Sequence, residues 1–280
     1  MQPTFIASWK PNLRGDMQAV GIPFIVALMS GLYTSLWGAF KDSPYEGFKP
    51  KTFPRSILFH AVIFGVLYSF EPFAAPFRSL KLFQMFFLVM GLERFLAELY
   101  KGFFRTEDQT KYFVPSRITL LGKHVESDLL RYSVGTILVA GVCAVAGIPP
   151  KVTDAWVFLA VAYGTGLVVS IGGAYKDAPF EGFQWLKFQR SAVVLAVASP
   201  LFYFINVPDN PISIGFLIYM NGGLERFLVE YYKTYIQRNM SGKFRPDLER
   251  IKEQIDTRER FHYLAWIIIL GLIALYAHEL

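Results

Sequence analysis

Long apolar runs alternate with short charged connections along this chain. The runs fall at Val20–Phe40, Ser56–Phe73, Leu80–Tyr100, Leu130–Ile148, Ala155–Tyr175, Ser191–Val207, Ile212–Tyr232 and His262–Ala277. A helix needs about 20 largely apolar residues to cross roughly 30 Å of hydrocarbon, and most of these runs approach that length. The pattern predicts an all-α polytopic membrane protein with about eight transmembrane helices. The competing reading, a large all-helical soluble core, rarely carries so many runs of this length.

Composition points the same way. The chain is 53% hydrophobic and only 18% charged, against about 25% charged in ordinary soluble domains. The basic residues are placed unevenly. Lys41, Lys49, Lys51 and Arg55 follow the first run, and Lys101, Arg105, Lys111, Arg117, Lys123 and Arg131 follow the third. Lys176, Lys187 and Arg190 follow the fifth, and Lys233 begins a further basic cluster after the seventh. The other side has only Lys10, Arg14, Arg78, Lys81 and Lys151. Eight alternating helices then place the rich side in the cytoplasm of a cell membrane and both termini outside. The net charge of +6 follows from these loops and does not require nucleic acid. Residues 1–16 read as an extracytoplasmic lead-in with no apolar signal core.

The chain also contains itself twice. GAFKDSPYEGF at Gly38–Phe48 returns as GAYKDAPFEGF at Gly173–Phe183, and GLERFLAELYK at Gly91–Lys101 returns as GLERFLVEYYK at Gly223–Lys233. Gly31 matches Gly166, and Arg55–Ser56 matches Arg190–Ser191. The expected organisation is two membrane repeats, 17–150 and 151–280, with four helices each. An even number of spans per repeat makes them parallel, related by a pseudo-twofold axis along the membrane normal.

The recurring charges are the candidate chemistry. Helical residues three or four apart share a face. Arg94, Glu98 and Lys101 therefore predict one ion-pair stripe, as do Arg226, Glu230 and Lys233. Glu93 and Glu225 point about 100° away from the adjacent arginine. In the other motif Pro44 and Pro179 are expected to stop the helix, with Gly47 and Gly182 free to take positive φ. Lys41, Asp42, Glu46 and Arg55, and their twins Lys176, Asp177, Glu181 and Arg190, then sit at the cytoplasmic surface. They form either an interfacial turn held by local ion pairs or a loop that folds over the arginine motif to complete a polar site. His60, His124, His262 and His278 show no metal-ligand spacing, and His60 reads as a core or interfacial histidine. Cys143 reads as a packing residue. No nucleotide or hydrolase fingerprint occurs, and no cofactor is implied.

GLERFLAELYK and GGLERFLVEYYK resemble the G-L-x-R-F-x-x-E-x-x-R motif of prolipoprotein diacylglyceryl transferase, a bacterial membrane enzyme that uses phosphatidylglycerol. The resemblance is confined to these segments. It implies that Arg94 or Arg226 contacts a phospholipid headgroup with Glu98 or Glu230 as partner, while Lys101 or Lys233 stands at the family's final arginine. Guanidinium suits phosphate because it offers a planar fork of donors.

Three functions follow as expectations. The first is binding or processing of an anionic lipid, a phospholipid or polyprenyl phosphate, at twin cytoplasm-facing sites. The second is a transporter or channel with a path along the pseudo-twofold axis. The third is a non-catalytic scaffold subunit. Membrane lipids are the expected partners, with a membrane-protein partner or a second copy left open.

Overall fold

A computed structural model describes residues 13–108, 116–120, 123–206, 210–237 and 248–280, without the side chains of 13–19, 44–46, 176, 177, 180, 181, 206 and 248–257. The described chain is almost wholly helical. Helix α1 (Leu13–Glu46) leads through a short loop to α2 (Arg55–Ser69), α3 (Glu71–Arg78) and α4 (Leu82–Leu99). Then follow α5 (Asp128–Ala146), α6 (Ala155–Glu181), α7 (Trp185–Ala198), α8 (Pro200–Asn206), α9 (Ile214–Tyr231) and α10 (Leu248–Glu279). Among the described residues, five helical segments are long and apolar enough to cross a membrane, or six if the bent pair α2–α3 is one span. The five lie on α1, α5, α6, α7–α8 and α10. Helices α4 and α9 fall outside this set because each carries three ionisable residues: Glu93, Arg94 and Glu98, or Glu225, Arg226 and Glu230.

Local sequence explains the element ends. Asp154 caps α6 by accepting from the Trp156 and Val157 amides at 2.8 and 3.1 Å, and Ser127 and Ser213 cap α5 and α9 through their hydroxyls. Each cap satisfies amides that have no partner within the first turn. The prolines do not stop α1 and α6 as expected. Both helices run past them, to Glu46 and Glu181. The break comes at Gly47 (φ 73°) and Gly182 (φ 79°), because the residue that leaves the helix must enter a region L side chains avoid. Helix α10 begins in the charged stretch at Leu248 and continues into the last apolar run.

Helices α4 and α9 form the centre of the bundle, and both bury nearly the full length before their charged motifs. Helices α1, α2 and α10 pack around one flank, with α6 and α7 around the other. Gly31 brings α1 against the Ile57 backbone, and Gly166 brings α6 against that of Ala192. The neighbouring helix end gathers at the motifs: Lys41 faces Glu230, and Phe48 packs on Phe261. The opposite end is joined by two antiparallel strands, β3 (Lys151–Val152) with β4 (Ile212–Ser213), whereas the pair β1 (Thr119–Leu120) with β2 (Lys123–His124) follows Ile118, whose amide donates to the Gly102 carbonyl just beyond the first arginine motif at 3.1 Å. At that opposite end the Glu279 carboxylate, on the last turn of α10, accepts from the Leu82 and Phe83 amides at 2.8 and 3.1 Å and caps α4. Cys143, expected to be packed, is exposed on α5.

The sixth apolar run and its counterpart differ in shape. Helices α2 and α3 meet at 97°, whereas α7 and α8 read as one span, Trp185–Ile205. Among the connections, each of the two arginine motifs runs into a π-helical turn, Tyr100–Phe104 and Tyr232–Ile236. Such turns are rare and recur at functional sites. The next helix docks on each turn. Arg131, buried at the start of α5, donates to the Phe103 and Arg105 carbonyls, each at 3.3 Å. His262 of α10 stacks on Tyr235 with ring centres 4.3 Å apart.

Candidate functional site: a reciprocal ion-pair crossing beside a basic cavity

The site begins with two glycines. A Cβ on Gly91 would lie 1.8 Å from the Tyr219 carbonyl oxygen, and one on Gly223 would lie 2.0 Å from that of Phe87. Any larger residue would force α4 and α9 apart. Small residues at a helix crossing let backbones touch, which is how membrane helices gain packing without a hydrophobic driving force between them.

Immediately beyond the crossing come the adjacent charges Glu93–Arg94 and Glu225–Arg226. Neighbouring helical residues diverge by about 100°, so each helix sends a glutamate to one flank and an arginine to the other. The partners are exchanged between helices. Arg94 pairs with Glu225, and Arg226 pairs with Glu93. Arg94 also donates to the Gly222 carbonyl at 3.0 Å. The expected Arg94–Glu98 and Arg226–Glu230 stripes are therefore not the pairing adopted. Intrahelical partners would leave Glu93 and Glu225 buried without a cation, and a buried uncompensated charge costs several kcal/mol.

The remaining carboxylates serve elsewhere. Glu98 takes Lys101 at 2.7 Å on an exposed face. Glu230 lies between Lys233 at 3.7 Å and Lys41 at 3.8 Å, so Lys41 joins the arginine motif of the other half. Asp42 is half-buried on α1, and Arg55 is exposed at the start of α2. The side chains of Glu46, Lys176, Asp177 and Glu181 lie outside the described residues.

The two flanks are not alike. On the α1–α2 flank, Arg226 and Glu93 are only 9% and 5% exposed. Trp37 covers the guanidinium with its ring centre 5.4 Å away. His60 is fully buried, with Nδ1 2.7 Å from the Ser56 carbonyl oxygen. The Ser35 hydroxyl donates to the Phe53 carbonyl at 2.7 Å and closes the α1–α2 connection onto α1.

On the α6–α7 flank, Arg94 keeps 20% of its side chain exposed while Glu225 keeps 2%. Glu225 accepts a second hydrogen bond, from the Ser191 hydroxyl at 2.5 Å. Beside this pair a small cavity of about 100 Å³ opens to solvent. Arg94, Lys187, Arg190, Lys233 and Glu225 bring four cations and one carboxylate to its lining. Ser170 and Arg190 also line it, and the Ser170 hydroxyl and the Arg190 Nε are buried with no hydrogen-bond partner among the described residues. Phe183 lines the cavity, and it is exposed, as are Trp185 and Leu186 shortly after it along the chain.

Sequence reasoning singled out Arg94, Arg190, Glu225 and Lys233 and missed Lys187, Ser170 and Ser191 as contributors. A signal existed for Lys187: its counterpart in the first half is Thr52. Among the described residues no group of three or more His, Cys, Asp or Glu could hold a metal ion. No protein-family model, curated protein or solved structure matches the chain.

Proposed function

We propose that this chain is an eight-span membrane protein, built as two parallel four-helix repeats, that binds an anionic lipid headgroup in the α6–α7 cavity at the cytoplasmic face. The observation that carries the reading is the cavity lining, to which, among the described residues, Arg94, Lys187, Arg190 and Lys233 contribute together with the carboxylate of Glu225. That carboxylate is already held by Arg94 and Ser191, and the Arg190 Nε lies buried with no hydrogen-bond partner among the described residues. Guanidinium and ammonium groups recognise phosphate oxygens through charge-assisted hydrogen bonds. The exposed Phe183 at the cavity, with Trp185 and Leu186 shortly after it along the chain, suits the headgroup level, where aromatic rings sit between hydrocarbon and water. Recognition at one flank replaces the symmetrical pair of sites expected from the duplicated motifs.

The eight-span arrangement is supported by the gathering of the motif connections at one end and of Ser79, Lys151, Ser213 and Glu279 at the other. In this arrangement α4 and α9 cross as spans whose charges face each other and not lipid, as ionisable residues inside membranes generally do. The parallel repeats are supported by the matched contacts of Gly31 and Gly166 and by the reciprocal pairs. Backbone contact at Gly91 and Gly223 fills the axis between the halves, which favours a headgroup site off the axis over a path along it. The motif likeness to a phospholipid-using transferase points to the same ligand class.

The test is lipid retention by the purified full-length chain, read by native mass spectrometry, and rebinding in phosphatidylcholine nanodiscs doped with anionic phospholipid. The wild type is expected to retain anionic lipid. Arg190→Ala is expected to lose it, and Lys51→Ala, at the exposed first connection, to retain it. Retention that is unchanged in Arg190→Ala and Lys187→Ala would sink the proposal.

A further inference from the structure

We infer that ordered water binds between α1 and the π-helical turn after α9, held by the Tyr33 and Tyr235 hydroxyls and the Glu230 carboxylate. This internal site lies on the flank away from the α6–α7 cavity, and it does not depend on the headgroup reading.

Helical spacing builds one wall. Tyr33, Trp37 and Lys41 stand four residues apart on α1 and share a face. That face meets α9 and its π turn. Tyr33 stacks on Phe227 with ring centres 4.4 Å apart, Trp37 covers Arg226, and Phe40 packs on Tyr235 at 4.6 Å. Tyr33 lies within electrostatic reach of Glu230 and Tyr235. Tyr33 and Tyr235 are only 0% and 3% exposed. Their hydroxyls, the Trp37 Nε1 and the Glu230 Oε2 are all buried with no hydrogen-bond partner among the described residues. Leaving buried polar atoms unpaired is costly, and as a rule they bond to protein or to ordered water.

The distances around Glu230 point the same way. Lys41 stands 3.8 Å from Oε2, and Lys233 stands 3.7 Å from Oε1. Both exceed a direct hydrogen bond, and a polar contact of that length is where a bridging water fits. The counterpart Glu98 instead takes Lys101 directly, at 2.7 Å. The charges select the ligand. A metal cation would face two ammonium groups, and an anion would face the carboxylate. Water is neutral, donates to Glu230 and accepts from a tyrosine hydroxyl, and a buried water makes about three such bonds.

The second half of the chain does not repeat these groups. Val168, Gly172 and Phe103 stand where Tyr33, Trp37 and Tyr235 stand on this flank. Polar atoms have thus been placed beside one copy of a glutamate that both halves share.

The test is X-ray hydroxyl-radical footprinting of the full-length protein in phosphatidylcholine nanodiscs, read by mass spectrometry. Radicals formed from a bound water oxidise the side chains beside it even where bulk water has no access. Tyr33 and Tyr235 are expected to be oxidised well above Phe86 and Phe202, two aromatic residues as deeply buried, at 1% and 0% exposure. Oxidation of the tyrosines no greater than that of these phenylalanines overturns the site. Tyr33→Phe is expected to lower oxidation at Tyr235, and unchanged oxidation there overturns a site shared by the two hydroxyls. Melting temperature gives a second readout. Tyr33→Phe and Tyr235→Phe are each expected to lower it, with the double variant losing less than the sum because both act on the same water. A melting temperature unchanged or raised in both single variants means that the hydroxyls had no partner to lose, and it overturns the proposal.

Discussion

On the α1–α2 flank Trp37 lies over Arg226, and the Ser35 hydroxyl ties the following loop at Phe53. On the α6–α7 flank Gly172, where an added Cβ would meet no described atom of another element within 4 Å, stands where Trp37 stands in the first half. There the Ser170 hydroxyl has no hydrogen-bond partner among the described residues, and Lys187 replaces Thr52. Both flanks carry the same Glu–Arg exchange, and among the described residues Arg94 is the more exposed of the two arginines. The lesson concerns how duplicated motifs diverge. The ion pairs are fixed by the α4–α9 crossing and are shared equally between the halves. Access to them is set by a few side chains on the outer helices, which the duplication does not hold in common.

The comparison breaks most sharply at the arginines. Arg226→Ala leaves Glu93 buried and uncompensated and is expected to cost about 3–5 kcal/mol. Arg94→Ala leaves Glu225 beside an open cavity, with Ser191 still donating, and is expected to cost roughly 1–3 kcal/mol. Thermal unfolding of the two purified variants in one detergent checks the difference; equal losses would mean that the flanks are energetically the same. Gly91→Ala comes next, at about 1–3 kcal/mol, because overpacking must move a backbone carbonyl. Gly65→Ala, where a Cβ meets nothing within 4 Å, is the control and is expected to stabilise slightly, by about 0.4–1 kcal/mol.

The caps sharpen the comparison further. Helix α9 is capped by its own Ser213, but α4 is capped from the far end of the chain by Glu279. Glu279→Ala should cost about 1 kcal/mol and also loosen α10. Local hydrogen exchange at Leu82 and Phe83 should rise, and an unchanged exchange rate there would remove Glu279 from the cap. The smallest effect is expected at the serines. Ser35→Ala loses a made hydrogen bond, about 1 kcal/mol, while Ser170→Ala loses none and should leave the melting temperature within error. A larger loss at Ser170 would show that its hydroxyl already has a partner.

Much of the fold could be read along the chain. The eight apolar runs correspond to helical segments because backbone groups in apolar surroundings must bond within their own segment. Gly47 and Gly182 could be picked out as positive-φ positions because few other residues enter that region. Pro44 and Pro179 do not end their helices, although the missing amide predicts a stop there. A proline in the last turn forfeits one hydrogen bond, and the helix still continues to the glycine. The π turns, the short strand pairs and the right angle between α2 and α3 left no periodic signal. The ion pairing was legible only by residue type. Helical spacing favours partners three or four apart on one helix, but a partner on a crossing helix removes both charges from exposure to lipid or solvent, and spacing alone is blind to it.

The sequence by itself determined that the chain is helical and apolar, that its charged motifs occur twice, and that arginine, glutamate and lysine recur at matching places. These are properties of composition, period and repetition, and each is local. Only the tertiary structure decided that Glu93 belongs to Arg226 and Glu225 to Arg94, that Glu230 serves Lys41 as well as Lys233, and that Arg226 lies covered while Arg94 keeps part of its side chain exposed. Those outcomes depend on which helices touch, and the closest contact, at Gly91 and Gly223, brings together residues from opposite halves of the chain.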